Sequence, residues 1–202
     1  HLSFLCQFLN LYTIQNIKIV AGTTTGFISF TPLSDAIYEG DETAIVSITT
    51  VSGGGAKESG DQSVTVEIID AESAPTVTLS QSTNSVTEGD SALTMTASLS
   101  VATTADVTVI LDTSGTAIEG TDYSNISDII VSAGSTTGTA TFTSINDSVY
   151  EGTETATVTI GSVSGGSASA ASSEITASIS LADADSAPTV TLSSSDTSVD
   201  ED

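Results

Sequence analysis

The side chains in this sequence that could do chemistry are almost all carboxylates. The chain holds 26 Asp and Glu residues against 2 Lys and Arg, which gives a formal net charge of −24 over 202 residues. The basic residues are Lys18 and Lys57, and the single His and single Cys are His1 and Cys6. General acid–base and nucleophilic catalysis usually rely on His, Lys, Cys or Arg. We therefore expect a protein that is not an enzyme, although glycoside hydrolysis needs carboxylates alone.

The charge also restricts the partners of the chain. A nucleic-acid-binding protein needs Lys and Arg to replace counterions at phosphates, and a polybasic membrane anchor needs them at anionic headgroups. The sequence contains no run of about 20 apolar residues that could form a transmembrane helix. We therefore predict no nucleic-acid partner and no direct insertion of this fragment into a membrane.

The sequence contains an internal repeat. Residues 21–44 align with residues 133–156 at an offset of 112, and residues 73–80 align with residues 186–193 at an offset of 113. The difference of one residue between the two offsets fits a loop insertion. A unit of about 113 residues has the size of a domain rather than of a solenoid repeat.

The repeat divides the chain into four parts, and we interpret the chain as an internal fragment of a longer protein. The parts are residues 1–11, which match nothing in the repeat and which we interpret as a non-native start; residues 12–74, the C-terminal part of one repeat; residues 75–187, a complete repeat; and residues 188–202, the first strand of a following repeat. Almost no linker separates the copies, which favours a stiff rod over freely jointed domains.

Apolar residues in the complete repeat recur with a period of two. Leu93, Met95, Ala97 and Leu99, for example, alternate with Thr and Ser. About seven such segments are separated by turns rich in Gly, Ser, Asp and Asn. Short strands at regular spacing with turn signals between them predict an antiparallel β-sandwich. The predicted fold class is all-β, with sandwiches arranged in tandem.

The carboxylates of the complete repeat are concentrated in the predicted turns. This repeat has thirteen acidic residues and no Lys, Arg or His, so no salt bridge within the domain can neutralise them. Bunched carboxylates raise one another's pKa unless a cation lies between them. The acidic residues in turns are Glu88, Asp90, Glu119, Asp122, Asp147, Glu151, Glu154, Asp183 and Asp185.

Ca²⁺ is the cation that this chemistry favours. It takes about 6–8 oxygen ligands in flexible geometry, whereas Mg²⁺ prefers few carboxylates and retained water. Zn²⁺ usually takes His or Cys ligands, and the complete repeat has neither. The alternative is a merely acidic, solubilising surface, of the kind that salt-adapted proteins also carry.

The order of these acidic motifs resembles the Calx-beta motif. This family occurs in sodium–calcium exchangers, in an integrin beta subunit and in long tandem arrays of bacterial surface proteins. The resemblance covers residues 75–187 as a full domain and residues 12–74 as a partial one. It implies a seven-strand immunoglobulin-like sandwich, with calcium ions in loops at one end beside the next domain. The motifs are Glu88–Asp90, Gly115–Tyr123, Ile145–Glu154 and Asp183–Asp185.

The resemblance also implies the residues that would bind Ca²⁺. In the complete repeat they are Glu88, Asp122, Asp147, Glu151, Glu154, Asp183 and Asp185, together with the backbone carbonyl of Val149. The matching residues of the partial repeat, which lacks its front turns, are Asp35, Glu39, Glu42, Asp70 and Glu72. The strongest calcium-binding members have unbroken acidic triplets where this chain has Asn146-Asp147-Ser148 and Asp183-Ala184-Asp185, which implies fewer ions or weaker binding. We assign the other acidic residues, including Asp90, Asp106, Asp112 and Glu174, to solubility.

The resulting functional hypothesis is a calcium-binding structural repeat of a large exported cell-surface protein. It would stiffen a stalk for adhesion or for cell–cell or cell–matrix contact, in an extracellular location, with a parent protein that could be anchored in a membrane. Its expected partners are the neighbouring repeats of the same chain and a cell-surface or matrix partner. Two alternatives remain open: a regulatory Ca²⁺-sensing domain of a membrane transporter, and a calcium-independent spacer.

Overall fold

The computed structural model describes residues 2–3, 16–29, 31–90, 92–198 and 200–201. This part of the chain contains strands and turns, and none of it forms a helix long and apolar enough to cross a membrane. The strands are β1 (Leu2–Ser3), β2 (Ile37–Tyr38), β3 (Glu42–Ser47), β4 (Thr50–Val51), β5 (Ser63–Ile68), β6 (Thr76–Gln81), β7 (Ser85–Thr87), β8 (Leu93–Leu99), β9 (Ala102–Thr103), β10 (Val107–Gly115), β11 (Ile129–Val131), β12 (Thr137–Phe142), β13 (Glu154–Ser164), β14 (Ser169–Ala170) and β15 (Thr176–Ala182).

The complete repeat folds as two sheets packed face to face. One sheet has the strand order β11-β10-β13-β15-β7, and the other has the order β12-β8-β6-β14. The predicted all-β sandwich is confirmed, and within the complete repeat each segment predicted as a strand contains one. The structure adds two parallel pairings, β7 with β15 and β6 with β14. The start of the repeat, residues 76–87, thus forms two short strands, β6 and β7, which join different sheets.

The period of two in the sequence produces the core directly. Leu93, Met95, Ala97 and Leu99 of β8 are all buried, because alternate side chains of a strand point to the same face. Facing strands contribute Val, Ile, Leu and Ala in the same alternation. Burial of one such large aliphatic side chain contributes about 1.5–3 kcal/mol. The sandwich therefore depends on many small aliphatic contacts.

The partial repeat forms the counterpart of one hairpin of the sandwich. Strands β3 and β5 pair antiparallel over six residues each, in the register Glu42↔Ile68. Their counterparts in the complete repeat are β13 and β15, which pair in the register Glu154↔Leu181. In addition β2 pairs in parallel with β9, which belongs to the complete repeat.

The segment that repeats β6 differs from it in structure. Val77 and Leu79 are buried in the core, whereas their counterparts Val190 and Leu192 are fully exposed and lie outside any strand. β6 pairs with β8 along its length, and residues 188–198 have no comparable strand beside them in the described part of the chain. A strand without a partner leaves its backbone unpaired, so the sequence pattern alone does not produce one.

The interpretation of residues 1–11 as a non-native start concerns residues that are, apart from β1, outside the described residues. β1 pairs with β4, with Leu2 opposite Val51 and Ser3 opposite Thr50. The boundaries of the repeats remain predictions from the sequence.

Candidate metal centre

Three of the predicted ligands converge at one end of the sandwich. Asp122, Glu151 and Glu154 each place a carboxylate oxygen within 4.8 Å of the others. Asp122 lies in the turn after β10, Glu151 lies in the loop before β13, and Glu154 is the first residue of β13. Asp122 is only 5% exposed, while Glu154 is half-buried and Glu151 is exposed. The fold thus brings together carboxylates that are about thirty residues apart in the sequence.

The position of Asp122 is determined by its own turn. Its Oδ2 atom accepts a hydrogen bond from the backbone N–H of Ile118 at 2.6 Å. The next residue, Tyr123, is buried and stacks on Phe142 with ring centroids 4.7 Å apart. The position of the Asp122 carboxylate is therefore restrained by the hydrogen bond from Ile118 and by the packing of the adjacent Tyr123 ring.

Asp183 connects the exit of β15 to the loop that carries Glu151. Its Oδ2 atom accepts hydrogen bonds from the backbone N–H of Glu151 at 2.5 Å and of Gly152 at 2.7 Å. Its Oδ1 atom accepts one from the N–H of Asp185 at 2.7 Å. The bond from Gly152, with those from Asp185 and Glu151, lowers the pKa of Asp183 because these donors favour the ionised form.

Glu88, in the turn after β7, lies near the cluster, and its charge acts on Glu151 and Glu154. Its backbone N–H donates to the carbonyl of Ala182 at 3.0 Å, and the side chain is 7% exposed. Burial raises the pKa of Glu88, and the charge of Asp183 raises it further, against the opposing effect of a hydrogen bond from the N–H of Ala184. The Oε2 atom of Glu88 is buried and has no hydrogen-bond partner.

The two glutamates of the cluster are also shifted toward their protonated forms. Burial raises the pKa of Glu154, and a side-chain hydrogen bond with Asp122 and the charge of Asp122 raise it further. Partial desolvation raises the pKa of Glu151, to which the charges of Asp122 and Asp147 add. The Oε2 atom of Glu154 is buried without a partner. The negative charge of the cluster therefore favours the binding of either a proton or a cation.

Asp147 and Asp185 are the remaining predicted side-chain ligands of the complete repeat. Asp147 accepts a hydrogen bond from the backbone N–H of Val149 through Oδ1, at 2.7 Å, which closes the turn after β12. The Oδ2 atom of Asp185 is buried and has no partner. The carbonyl of Val149 as a backbone ligand stays a prediction.

The matching residues of the partial repeat surround one cavity of about 110 Å³. The loop around β2 has the same hydrogen bonds as the loop before β13 in the complete repeat. Asp35 Oδ1 accepts from Ile37 N–H at 2.8 Å, and Asp70 Oδ2 accepts from Glu39 N–H at 2.7 Å. The N–H of Glu72 lowers the pKa of Asp70, and burial raises the pKa of Glu72. The predicted residues that line the cavity are Asp35, Glu39, Glu42, Asp70 and Glu72.

Two exposed residues that we assigned to solubility also accept hydrogen bonds in their own turns. Asp90 Oδ2 accepts from the N–H of Thr87 at 3.0 Å, and Asp106 Oδ1 accepts from the N–H of Ala133 at 2.8 Å. Each carboxylate satisfies a turn donor that would otherwise depend on water. The sequence also gave no sign of the backbone donors at Ile118 and Ala184, because every residue type except Pro supplies such a group.

Comparison with known proteins identifies the family of this chain. The Calx-beta domain family matches residues 70–185, which is more than half of the chain and includes the whole carboxylate cluster. A search of curated protein sequences finds no match. Among solved structures, the "Crystal structure of Apo-form Calx CBD1 domain" is similar to this chain at 19% identity and a TM-score of 0.44, over 54% of this chain and 97% of that one. The chain belongs to the Calx-beta domain family, a family of calcium-binding β domains.

Proposed function

We propose that the complete repeat binds Ca²⁺ at the cluster formed by Asp122, Glu151 and Glu154, with Glu88 beside it. The observation that carries the proposal is the convergence of three carboxylates within 4.8 Å in a repeat that has no Lys, Arg or His to neutralise them. Like charges at this distance destabilise the ionised cluster. A divalent cation reverses that effect, because each carboxylate then faces an opposite charge.

The donor set fits Ca²⁺ in its chemistry. All the side chains at the cluster are carboxylates, which are hard oxygen donors of the kind that Ca²⁺ prefers. The buried Oε2 atoms of Glu88 and Glu154 lack hydrogen-bond partners, and buried polar atoms in native proteins are rarely left unsatisfied. When bound, the ion would supply charge neutralisation and a shared centre for these oxygens.

The number of charges fits a weak site, which suits an exported protein. Asn146, Ser148 and Ala184 stand at positions where a denser acidic sequence would add carboxylates. Sites with fewer charged oxygen ligands bind Ca²⁺ more weakly, and in extracellular modules the dissociation constants reach about 10⁻⁴–10⁻³ M. We infer an extracellular, cell-surface location, where Ca²⁺ is abundant enough to fill such a site.

The location of the site at the end of a repeat gives it a structural role. Asp183 and Asp185 follow β15 directly and precede Pro188, at which the sequence of the repeat begins again. An ion held here restrains the segment that joins one repeat to the next. We infer a Ca²⁺-stiffened stalk, made of tandem repeats, that serves adhesion or contact between cells or with matrix.

Thermal unfolding of the full chain tests the calcium proposal. At a Ca²⁺ concentration about ten times the dissociation constant, binding stabilises the folded state by about 1.4 kcal/mol. The melting midpoint in millimolar Ca²⁺ should therefore exceed that in EDTA. Glu154→Gln should reduce this increase. Asp128→Asn removes an equal charge from an exposed position outside the cluster and should preserve it. An identical midpoint in both buffers would instead assign the chain to calcium-independent spacers.

Small-angle X-ray scattering on the same chain tests the stiffening. We expect a narrower distribution of overall dimensions in Ca²⁺ than in EDTA, because the ion restrains the exit of β15. Glu154→Gln serves as the control, since it should remove the difference between the buffers. A calcium-dependent midpoint without any change in scattering would leave a calcium-binding domain with no stalk-stiffening role.

A further inference from the structure

A short strand pairing joins the partial repeat to the complete one. Ile37 pairs with Ala102 and Tyr38 pairs with Thr103, in the parallel arrangement of β2 and β9. β2 lies in a loop of the partial repeat, whereas β9 lies between β8 and β10 of the complete repeat. Addition of a short extended segment to an exposed strand edge is a common mode of protein recognition. The contact is therefore an interface between successive repeats.

The repeat offset places a second copy of β2 in the complete repeat. Val149 and Tyr150 stand 112 residues after Ile37 and Tyr38. The turn before them is closed in the same way in both copies, by an Asp side chain that accepts from the N–H two residues later. The Asp–N–H distance is 2.8 Å for Ile37 and 2.7 Å for Val149.

The anchor after each segment is equivalent as well. Asp70 Oδ2 accepts from the backbone N–H of Glu39 at 2.7 Å, and Asp183 Oδ2 accepts from that of Glu151 at 2.5 Å. Because the loop is held at both ends by the same bonds, Val149 and Tyr150 need no new local structure to pair as β2 does. Their loop is prepared for docking.

The two copies differ in what covers them. Ile37 and Tyr38 are half-buried, whereas Val149 is 55% exposed and Tyr150 is 48% exposed, and neither lies in a strand. Both are residue types that favour strands. They form a neutral, apolar pair between Asp147 and Glu151, so a docking partner must offer an uncharged edge. β9 offers such an edge through its backbone, because Ala102 and Thr103 carry no charge.

We propose that Val149–Tyr150 is the docking edge for a following repeat, whose counterpart of β9 pairs with it in parallel. The proposal rests on the tandem-repeat organisation of the proposed function. Two paired residues are a weak interface by themselves, but the short junction at Ser186–Pro188 makes the contact intramolecular, which raises its effective concentration. The residues that flank the edge, Asp147 and Glu151, are also predicted calcium ligands, so the ion and the neighbouring repeat would share one loop.

Disulfide trapping tests this edge in the full chain, extended after Asp202 with a copy of residues 90–187 so that the third repeat is completed. In a Cys6→Ser background, Val149→Cys is combined with Ala102→Cys in the appended copy. Paired strands lie about 5 Å apart, within reach of a disulfide. We expect oxidation to link this pair about tenfold faster or more than a control in which the appended copy carries Ile118→Cys, an exposed position beyond the far end of β10.

A second pair calibrates the experiment. Ile37→Cys with Ala102→Cys, both within the original sequence, reports the contact already present between β2 and β9. Equal rates for the Val149 pair and the Ile118 control would overturn the proposal, and so would failure of the Ile37 pair. All rates are measured in Ca²⁺ and in EDTA. A missing calcium effect on the melting midpoint would count against the proposed function, whereas the linking rates decide the docking edge separately.

Discussion

Asp183 holds the backbone N–H of Glu151 at 2.5 Å, although 32 residues separate the two along the chain. A carboxylate outside the cluster thereby fixes the loop that supplies Glu151 to it. Asp70 and Glu39 repeat this relationship in the partial repeat, at 2.7 Å. The carboxylate that follows the last strand is therefore a structural part of the loop in both repeats.

Asp183→Asn should lower the stability of the chain even in EDTA. The substitution replaces one of the two acceptor oxygens with an NH₂ group, which cannot accept, so either the bonds from Glu151 and Gly152 or the bond from Asp185 is lost. The remaining amide oxygen is neutral and accepts more weakly than the carboxylate. The melting midpoint in EDTA should fall, and the amides of Glu151 and Gly152 should exchange hydrogen faster by NMR.

Asp185→Asn is the matched control for that substitution. The Oδ2 atom of Asp185 is buried without a partner, so loss of its charge should leave the midpoint in EDTA unchanged or higher. We expect a smaller calcium-induced increase in both variants. Equal destabilisation by the two substitutions in EDTA would show that Asp183 has no special role in the loop.

Glu154→Gln should have opposite effects with and without Ca²⁺. Burial and the adjacent Asp122 disfavour the ionised form of Glu154, so removal of its charge should raise the midpoint in EDTA. The same substitution replaces a charged carboxylate ligand with a neutral amide. It should therefore reduce the increase in melting midpoint that Ca²⁺ produces. Thermal melts in the two buffers measure both effects, and a lower midpoint in EDTA would contradict the repulsion that we infer.

The calcium-free chain should become more stable when the pH falls from 7 toward 4.5. The pKa values of Glu88, Glu151 and Glu154 are raised above the ordinary value of 4.5, so in this range the folded state binds more protons than the unfolded state. Stability then increases as protons are taken up. Below the ordinary Asp value of 3.8 it should fall again, because the pKa of Asp183 is lowered in the folded state.

Urea unfolding in EDTA across this pH range measures that dependence. Saturating Ca²⁺ should reverse the trend above pH 4.5, because protons then compete with the ion for the same oxygens. A chain whose stability in EDTA increases steadily from pH 4.5 to pH 7 would be inconsistent with the raised pKa values.

Phe142→Ala should destabilise the complete repeat by about 3–5 kcal/mol, as truncation of a buried aromatic residue does. Phe142 is fully buried and stacks on Tyr123, which is adjacent to Asp122, so the calcium-induced increase should weaken too. Phe27→Ala removes a side chain that is 95% exposed and should change stability by less than about 0.5 kcal/mol. Urea unfolding compares the two, and similar losses would contradict the packing described here.

The fold was largely predictable because its signal is local. Alternation of Leu93, Met95, Ala97 and Leu99 defines one face of a strand without reference to any other part of the chain. Turn residues between such segments define where the strands end. The position of the carboxylates in those turns likewise follows from the sequence alone.

Long-range geometry was needed for the remainder. Alternation does not reveal that residues 76–87 form two strands, β6 and β7, in different sheets, since this depends on which sheet each segment can reach. It also does not show that Val190 and Leu192, which repeat Val77 and Leu79, lack a partner strand in the described residues.

Composition, repeat period and acidic turns are therefore properties of the sequence by itself, and they led to the family and to calcium. The tertiary structure supplied three relationships that no local pattern contains: the convergence of Asp122 with Glu151 and Glu154, the bond from Glu151 to Asp183, and the pairing of β2 with β9. The physical reason is the same for all three. Each depends on the distance between groups that are remote in the chain, and only the register of the packed sheets sets that distance.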